Sequence, residues 1–285
     1  MNATPERIVV LTGGTSGIGE ATALQLAEMG ARLVLVARDP QRTARVLELL
    51  ERKSPAIKHS AHLANLSRPG EAVRVAREIA AVEPRIDILI NNAGIMSAER
   101  QVTADGLELT FATNHLAYFA LTQGLLARLA DSAPARIVNT ASEVHRGARL
   151  DFDDLQSARS YSGYGAYAKS KLANVLFTRA LARRLLGSGV TVNCLHPGVV
   201  ASRFGQPRSG ETGDPSTASF LASHGITPEE SAEAVVQLAT SPDLAQATGQ
   251  YFNQKHAATP SKEAQDLAVA EKLWGVSEKL AGIKY

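Results

Sequence analysis

Short apolar runs recur along this chain, separated by longer stretches of helical periodicity, and that alternation restricts the fold more than any single residue does. Parallel strands need crossover helices and lie buried on both faces, so they read as continuous apolar runs rather than as alternating ones. The pattern therefore predicts an α/β fold, a parallel sheet with helices on both faces. Runs at 7–11, 32–37, 57–63, 86–90, 136–140, 190–195 and 249–253 give about seven strands. The first helix carries Gly19, Ala23, Leu26, Ala27 and Gly30 on one stripe. Small residues there let it dock closely on the sheet, and Gly30 can end it in the left-handed conformation. Thr227-Pro-Glu-Glu230 reads as a capping box with proline in the first helical position. The segment 201–227 is rich in Gly, Ser, Pro and Thr, and is expected to be a mobile stretch beside a site rather than a linker between domains. One domain spanning 1–285 with a helical C-terminal extension follows.

Chemistry enters at two places. After the first strand comes Thr12-Gly-Gly-Thr-Ser-Gly-Ile-Gly19, a glycine-rich turn that opens a helix. Glycines there permit tight backbone angles and let amide N–H groups approach a pyrophosphate at the positive helix end. The spacing Gly13-x-x-x-Gly17-x-Gly19 differs from the commoner Gly-x-Gly-x-x-Gly, and a strand-to-helix turn without a ligand is the plain alternative. In mid-chain, Tyr167 and Lys171 stand four apart, on one face of a helix. A phenol ordinarily ionises near 10, and a neighbouring ammonium favours its anion, so the pair is expected to move a proton. Tyr161 and Tyr164 have Gly165 and Ala168 at the same offset, so only Tyr167 fits.

Taken together, Thr12-Gly…Gly17-Ile-Gly19, Asn91-Asn-Ala-Gly94, Asn114, Ser142, Tyr167-x-x-x-Lys171 and His196-Pro-Gly198 resemble the short-chain dehydrogenase/reductase family, in order and in interval, over essentially the whole chain. Thr113-Asn-His-Leu116, Leu195-His-Pro-Gly-Val-Val200 and the tail Glu271-Lys-Leu-Trp-Gly-Val-Ser-Glu278 look most like its retinol-dehydrogenase-like branch. The resemblance implies a single doubly wound (Rossmann) sheet and hydride transfer between a nicotinamide and a hydrophobic alcohol, aldehyde or ketone. It makes Tyr167 the general acid and base, Lys171 its partner and a ligand of the nicotinamide ribose, Ser142 the holder of the substrate oxygen, and Asn114 a helix-kinking residue linked to Lys171 through water. It assigns the dinucleotide to Gly13, Thr15, Ser16, Gly17, Ile18 and Gly19, to Asn92, Ala93 and Gly94, and to Pro197, Gly198, Val200 and Ser202, besides Tyr167 and Lys171. Ser202 stands where the family usually has threonine.

Position 37, at the end of the second strand, usually holds a carboxylate where NAD is preferred. Here it is alanine, followed by Arg38, whose guanidinium suits a 2′-phosphate. NADP(H) is therefore expected over NAD(H), while Asp39 is free to cap the next helix. Asn65 stands where many family members have aspartate; with Leu66 it either accepts from the adenine amino group or simply makes a turn. His145 and Tyr161, between Ser142 and Tyr167, are candidate substrate contacts. Val175, Leu176 and Leu185 offer an apolar face for a possible homo-oligomer, unless the core uses them. A reductase of a conjugated C=C bond and a noncatalytic NADPH sensor are the rival readings; the intact Ser142, Tyr167 and Lys171 argue against the sensor.

Composition sharpens the exclusions. Lys and Arg total 30 against 28 Asp and Glu, and Arg42, Arg45, Arg52 and Lys53 are spaced like a solvated helix face, so no nucleic-acid partner is expected. No run of roughly 18 apolar residues exists, so no membrane span is expected. His59, His62 and His256 lack metal-ligand spacing, and no metal is expected. A single cysteine, Cys194, and an N-terminus without an apolar leader suit a cytoplasmic protein.

Overall fold

Strand β1 (Ile8–Thr12) shows why the sheet has helices on both sides. Its side chains alternate between two cores: Val10 joins Val34, Val36 and Leu89 on one face, while Val9 and Leu11 join Leu33, Leu35, Ile88 and Ile90 on the other. The structure, a computed structural model of the chain, describes residues 7–200 and 225–283. Along the chain follow α1 (Gly17–Glu28), β2 (Arg32–Ala37), α2 (Pro40–Lys53), β3 (Ser60–Leu63), α3 (Pro69–Val82) and β4 (Ile88–Asn91). After a long connection come α4 (Ala117–Asp131), β5 (Ala135–Thr140), α5 (Gly163–Arg184) and β6 (Val190–His196). The last described elements are α6 (Pro228–Thr240), β7 (Tyr251–Asn253), β8 (His256–Ala258) and α7 (Leu267–Ala281).

The sheet order is β3-β2-β1-β4-β5-β6-β7-β8, parallel throughout except for the antiparallel pair β7–β8. Strand order reverses between β1 and β4, and the crevice beyond the carboxyl ends of strands at such a point is where open α/β sheets bind ligands. Eight strands replace the expected seven because a two-residue link, Gln254-Lys255, folds β8 back on β7, with Gln254 at φ 51°. Two expected strands are trimmed by side chains that take over ladder amides. His59 Nδ1 accepts from Leu33 N at 3.2 Å, so β3 pairs only from Ser60, and the Asp87 carboxylate accepts from Ile8 N at 2.8 Å at the foot of β4. Thr227 and Glu230 form the expected reciprocal box at the start of α6, and Gly30 has φ +84° beyond α1.

The helix that carries Asn114 starts irregularly. A single turn, Leu109–Phe111, leads into a wider π-turn, Ala112–Leu116, before α4 begins. The C-terminal extension is α7, which packs its Leu273 and Trp274 onto α4 and α5; Trp274 meets Phe119 at 5.0 Å and Phe177 at 5.9 Å between ring centroids. Val175 and Leu176 are fully buried and Leu185 nearly so. The apolar face considered for pairing with a second chain is thus spent within the protein's own core. The segment 201–227, apart from its last three residues, lies outside the described residues, and so does Ser202.

Candidate active site

Four chain segments converge at the carboxyl ends of β1, β4, β5 and β6. The turn after β1 is held by Thr12, whose Oγ1 accepts from Asn92 N at 2.9 Å and Ala93 N at 3.0 Å. Asn92 returns the contact, its Nδ2 donating to Thr12 O at 3.2 Å and, more weakly, to Gly13 O at 3.4 Å. Close approach explains two of the glycines. Gly13 has φ +69° and a Cβ there would fall 2.8 Å from Ala93 Cα; one on Gly19 would fall 2.1 Å from Gly13 O. At the N-terminus of α1, Ser16 is extended and its side chain makes no cap, which leaves the first-turn amides uncapped and aimed beyond the strand ends.

Across the crevice, α5 presents Tyr167 and Lys171 from one face. Ser162 caps that helix, its Oγ accepting from Gly165 N at 3.3 Å. Ser142, just past β5, is extended and buried, and its side chain draws the ionisation of the neighbouring Tyr167 phenol down. Burial pushes the Tyr167 phenol up to about 12, against that opposing pull. Lys171 is buried beneath, its Nζ 5.4 Å from the Tyr167 ring centroid and donating to Thr140 O at 3.0 Å; burial brings it down to about 7. This reverses the expected direction for the tyrosine. The ammonium that was to draw the phenol below its ordinary value is itself desolvated, so in the free protein burial governs both groups.

Asn114 sits in the π-turn and braces the β4 loop. Its Oδ1 accepts from Ile95 N at 2.8 Å, and its Nδ2 donates to Ile95 O at 2.9 Å and to Ser170 Oγ at 3.0 Å. A glycine-rich turn under a helix N-terminus, facing a phenol, a buried amine and a serine hydroxyl, is an arrangement for moving a hydride and a proton together. Comparison with known proteins agrees: the family profile described as short chain dehydrogenase matches residues 7–212.

The chain belongs to the short-chain dehydrogenase family.

This dehydrogenase is an oxidoreductase acting on CH–OH or C=O groups, similar to the retinol dehydrogenases. Human retinol dehydrogenase 13 is 39% identical over 98% of this chain and 86% of its own length. Human retinol dehydrogenase 14 is 38% identical over 97% and 87%. Among solved structures, the Pseudomonas aeruginosa RhlG/NADP active-site complex superposes with a TM-score of 0.70 at 30% identity, covering 90% of this chain and 96% of that one. A Burkholderia cenocepacia short chain dehydrogenase in complex with NADP gives 0.69 at 25% identity, over 92% and 98%.

The dehydrogenase's residues fit a dinucleotide. The cradle at Gly13 and Gly19 admits no side chain, the α1 amides are uncapped, and Gly94 holds a position where a Cβ would already touch Asn114 Oδ1 and Lys171 Nζ, at 3.5 and 3.6 Å. Arg38, at the end of β2, is exposed and has no hydrogen bond or ion pair among the described residues. Asp39 is otherwise engaged: its carboxylate accepts from Gln41 N at 3.0 Å and Arg42 N at 3.1 Å, capping α2. Asn65 takes the turn role, with Oδ1 accepting from Ser67 N at 3.2 Å and Ser67 Oγ at 2.9 Å, while Leu66 is buried beside it. Gly198 follows β6 with φ +99°, and the Pro197 carbonyl accepts from Ser231 Oγ at 2.7 Å; Val200 is half-buried and bridges to Ile226. Thr15, Gly17 and Ile18 lie on the turn and the first turn of α1.

The substrate contacts expected of His145 and Tyr161 fare differently. His145 is fully buried, and both ring nitrogens are engaged. Its Nε2 accepts from Ser261 N at 3.1 Å, which leaves the proton on Nδ1, and Nδ1 donates to Ser142 O at 2.6 Å. It ties the Ser142 turn to the segment before α7 and offers nothing to a substrate. The Tyr161 hydroxyl donates to Ser97 O at 2.9 Å, and the residue is half-buried. Thr12, quoted with the glycine-rich turn, was given no role of its own, and Asn174 was not singled out. Asn174 follows Lys171 by three inside Leu-Ala-Asn-Val-Leu-Phe, and a lone amide in such an apolar run was the available signal. Among the described residues no group of acids, histidines and cysteine is arranged to hold a metal, and no helix is long and apolar enough to cross a membrane.

Proposed function

We propose that this dehydrogenase exchanges hydride between NADP(H) and a hydrophobic alcohol, aldehyde or ketone, with Tyr167 exchanging the proton. The observation that carries the reading is the Lys171 amine buried 5.4 Å from the Tyr167 ring centroid, with Ser142 acting on the same phenol. When bound, the nicotinamide supplies or accepts the hydride. The residues of this chain do the rest. Ser142 and Tyr167 both direct hydroxyls at one oxygen, and a phenol held above its ordinary ionisation range is in the protonated state that reduction needs. Proton transfer to the developing alkoxide leaves a phenolate, which the Lys171 ammonium stabilises from below. In the oxidative direction the same phenolate removes the alcohol proton.

Arg38 supports NADP over NAD: an unpartnered guanidinium at the end of β2 offers paired donors to a 2′-phosphate, and two structural relatives are NADP complexes. The names of the retinol dehydrogenases support a hydrophobic substrate. The test is NADPH oxidation over a panel of aldehydes, ketones and quinones, with Tyr167→Phe beside the natural chain. The variant is expected to bind NADPH as before and lose at least about a hundredfold in kcat, the scale of general acid–base catalysis. Undiminished turnover by Tyr167→Phe refutes the assignment.

A further inference from the structure

Below the Tyr167–Lys171 pair runs a chain of buried polar side chains that the reaction itself does not use. Asn174 lies one turn beyond Lys171 on α5 and is fully buried. Its Nδ2 donates twice, to Asn114 O at 2.9 Å and to Thr140 O at 3.2 Å. Thr140 O is the acceptor that also receives Lys171 Nζ, so both of its lone pairs are taken. One amide thus joins the three segments that carry Asn114, Ser142 and Lys171.

The direction of the remaining bonds follows from that. With Nδ2 committed to two carbonyls, Asn174 turns its Oδ1 toward His115 Nδ1, 3.3 Å away. An amide oxygen only accepts, so Nδ1 carries the imidazole proton, and Nε2 is left facing the Ser277 hydroxyl at 2.8 Å, whose one proton it shares with Leu273 O, also at 2.8 Å. Burial brings His115 down to about 4, so it is neutral at ordinary pH and keeps this single tautomer. Ser277 belongs to α7, at the far side of α5. The π-turn makes the chain possible: Asn114 and His115 are consecutive, yet both face the interior, one toward the β4 loop and the other toward α7.

We infer that Asn174, oriented through His115 by Ser277 of the C-terminal helix, is a positioning residue that holds Lys171 and its Thr140 acceptor in register for the coenzyme ribose. The inference rests on the proposed role of Lys171 and extends it to α7. Leaving one of these polar atoms buried and unpaired is costly, so the chain acts as a unit, and neighbours in one network are coupled rather than additive.

The experiment is a double-mutant cycle read as the NADPH dissociation constant, followed by fluorescence titration, with melting temperature recorded for every variant. Against the natural chain, Asn174→Ala is expected to weaken NADPH by about fivefold and Ser277→Ala by about twofold, with Ser277→Thr restoring the natural value because it keeps the hydroxyl. Placed in Lys171→Met, all three changes are expected to be silent, since the group they position is gone. Equal fold-losses in both backgrounds, or no loss in the natural background, overturn the inference while leaving the lysine's role intact. Natural affinity in Lys171→Met alone instead sinks the reading of the lysine, and the positioning chain with it.

Discussion

Replacing Lys171 by methionine should make this protein more stable while disabling it. The lysine is 2% exposed, and burial brings its ionisation from the ordinary 10.5 to about 7. At 1.36 kcal/mol per pH unit, that depression corresponds to an upper limit of roughly 5 kcal/mol for holding the ammonium inside at pH 6. Methionine fills nearly the same volume without the charge, and what it forfeits is the bond to Thr140 O, worth about 1 kcal/mol. A net gain of about 2 kcal/mol at pH 6 is expected, within the range for replacing buried charges by apolar groups of similar volume. The sign with pH is more diagnostic than the size. Below 7 the folded and unfolded chains both hold the lysine proton, so the penalty is present in full. Between 7 and 10.5 the unfolded chain keeps that proton and the folded chain has released it, so the natural protein gains stability as pH rises and the variant's advantage shrinks. Tyr167, pushed up to about 12, works in the opposite direction only above its unfolded value near 10, so measurements should stop at pH 9. Urea denaturation without coenzyme at pH 6, 7.5 and 9 gives the comparison. A stability difference that does not change with pH, or a variant less stable at pH 6, refutes burial as the force that sets the lysine's ionisation.

Three further outcomes are expected. Arg38→Asp should weaken NADPH by at least about tenfold and leave NADH little changed, as paired charge-assisted bonds to a 2′-phosphate require; equal affinities by fluorescence titration contradict this. Gly19→Ala puts a methyl 2.1 Å from Gly13 O, a main-chain atom without room to retreat, so coenzyme binding should be lost and the melting temperature should drop by several degrees. Ending the chain at 266 removes α7 and uncovers Phe119 and Phe177, so sedimentation should show more self-association than the full chain shows at the same concentration.

What the sequence disclosed follows from the range over which each signal acts. The Tyr167–Lys171 pair and the turn from Gly13 to Gly19 depend on spacing within one helix or one loop, and such local geometry is written in consecutive residues. The alternation of apolar runs disclosed the parallel sheet for the same reason. His145 was misjudged because its fate is decided by Ser261 N, 116 positions away; proximity to Ser142 in the sequence suggested substrate, and burial made it a strut. Asn174 was passed over because its partner lies 60 positions back on the π-turn, and because His115 there reaches a serine of α7 162 positions beyond itself. The hairpin at β7–β8 has no Asn-Gly or Gly-Gly to announce it. The ionisation of Tyr167 and Lys171 could not be read from their spacing at all, since depth below the surface outweighs the attraction between neighbours.

The cap that Asp39 places on α2 bears on how coenzyme preference could be redesigned. Selectivity and helix integrity sit on adjacent residues, yet each has its own side chain: the guanidinium points outward unattached, while the carboxylate beside it is tethered to two amides. A designer seeking a switch of nucleotide can therefore rewrite position 38 alone. Recruiting Asp39 for the ribose instead would unwind the start of that helix.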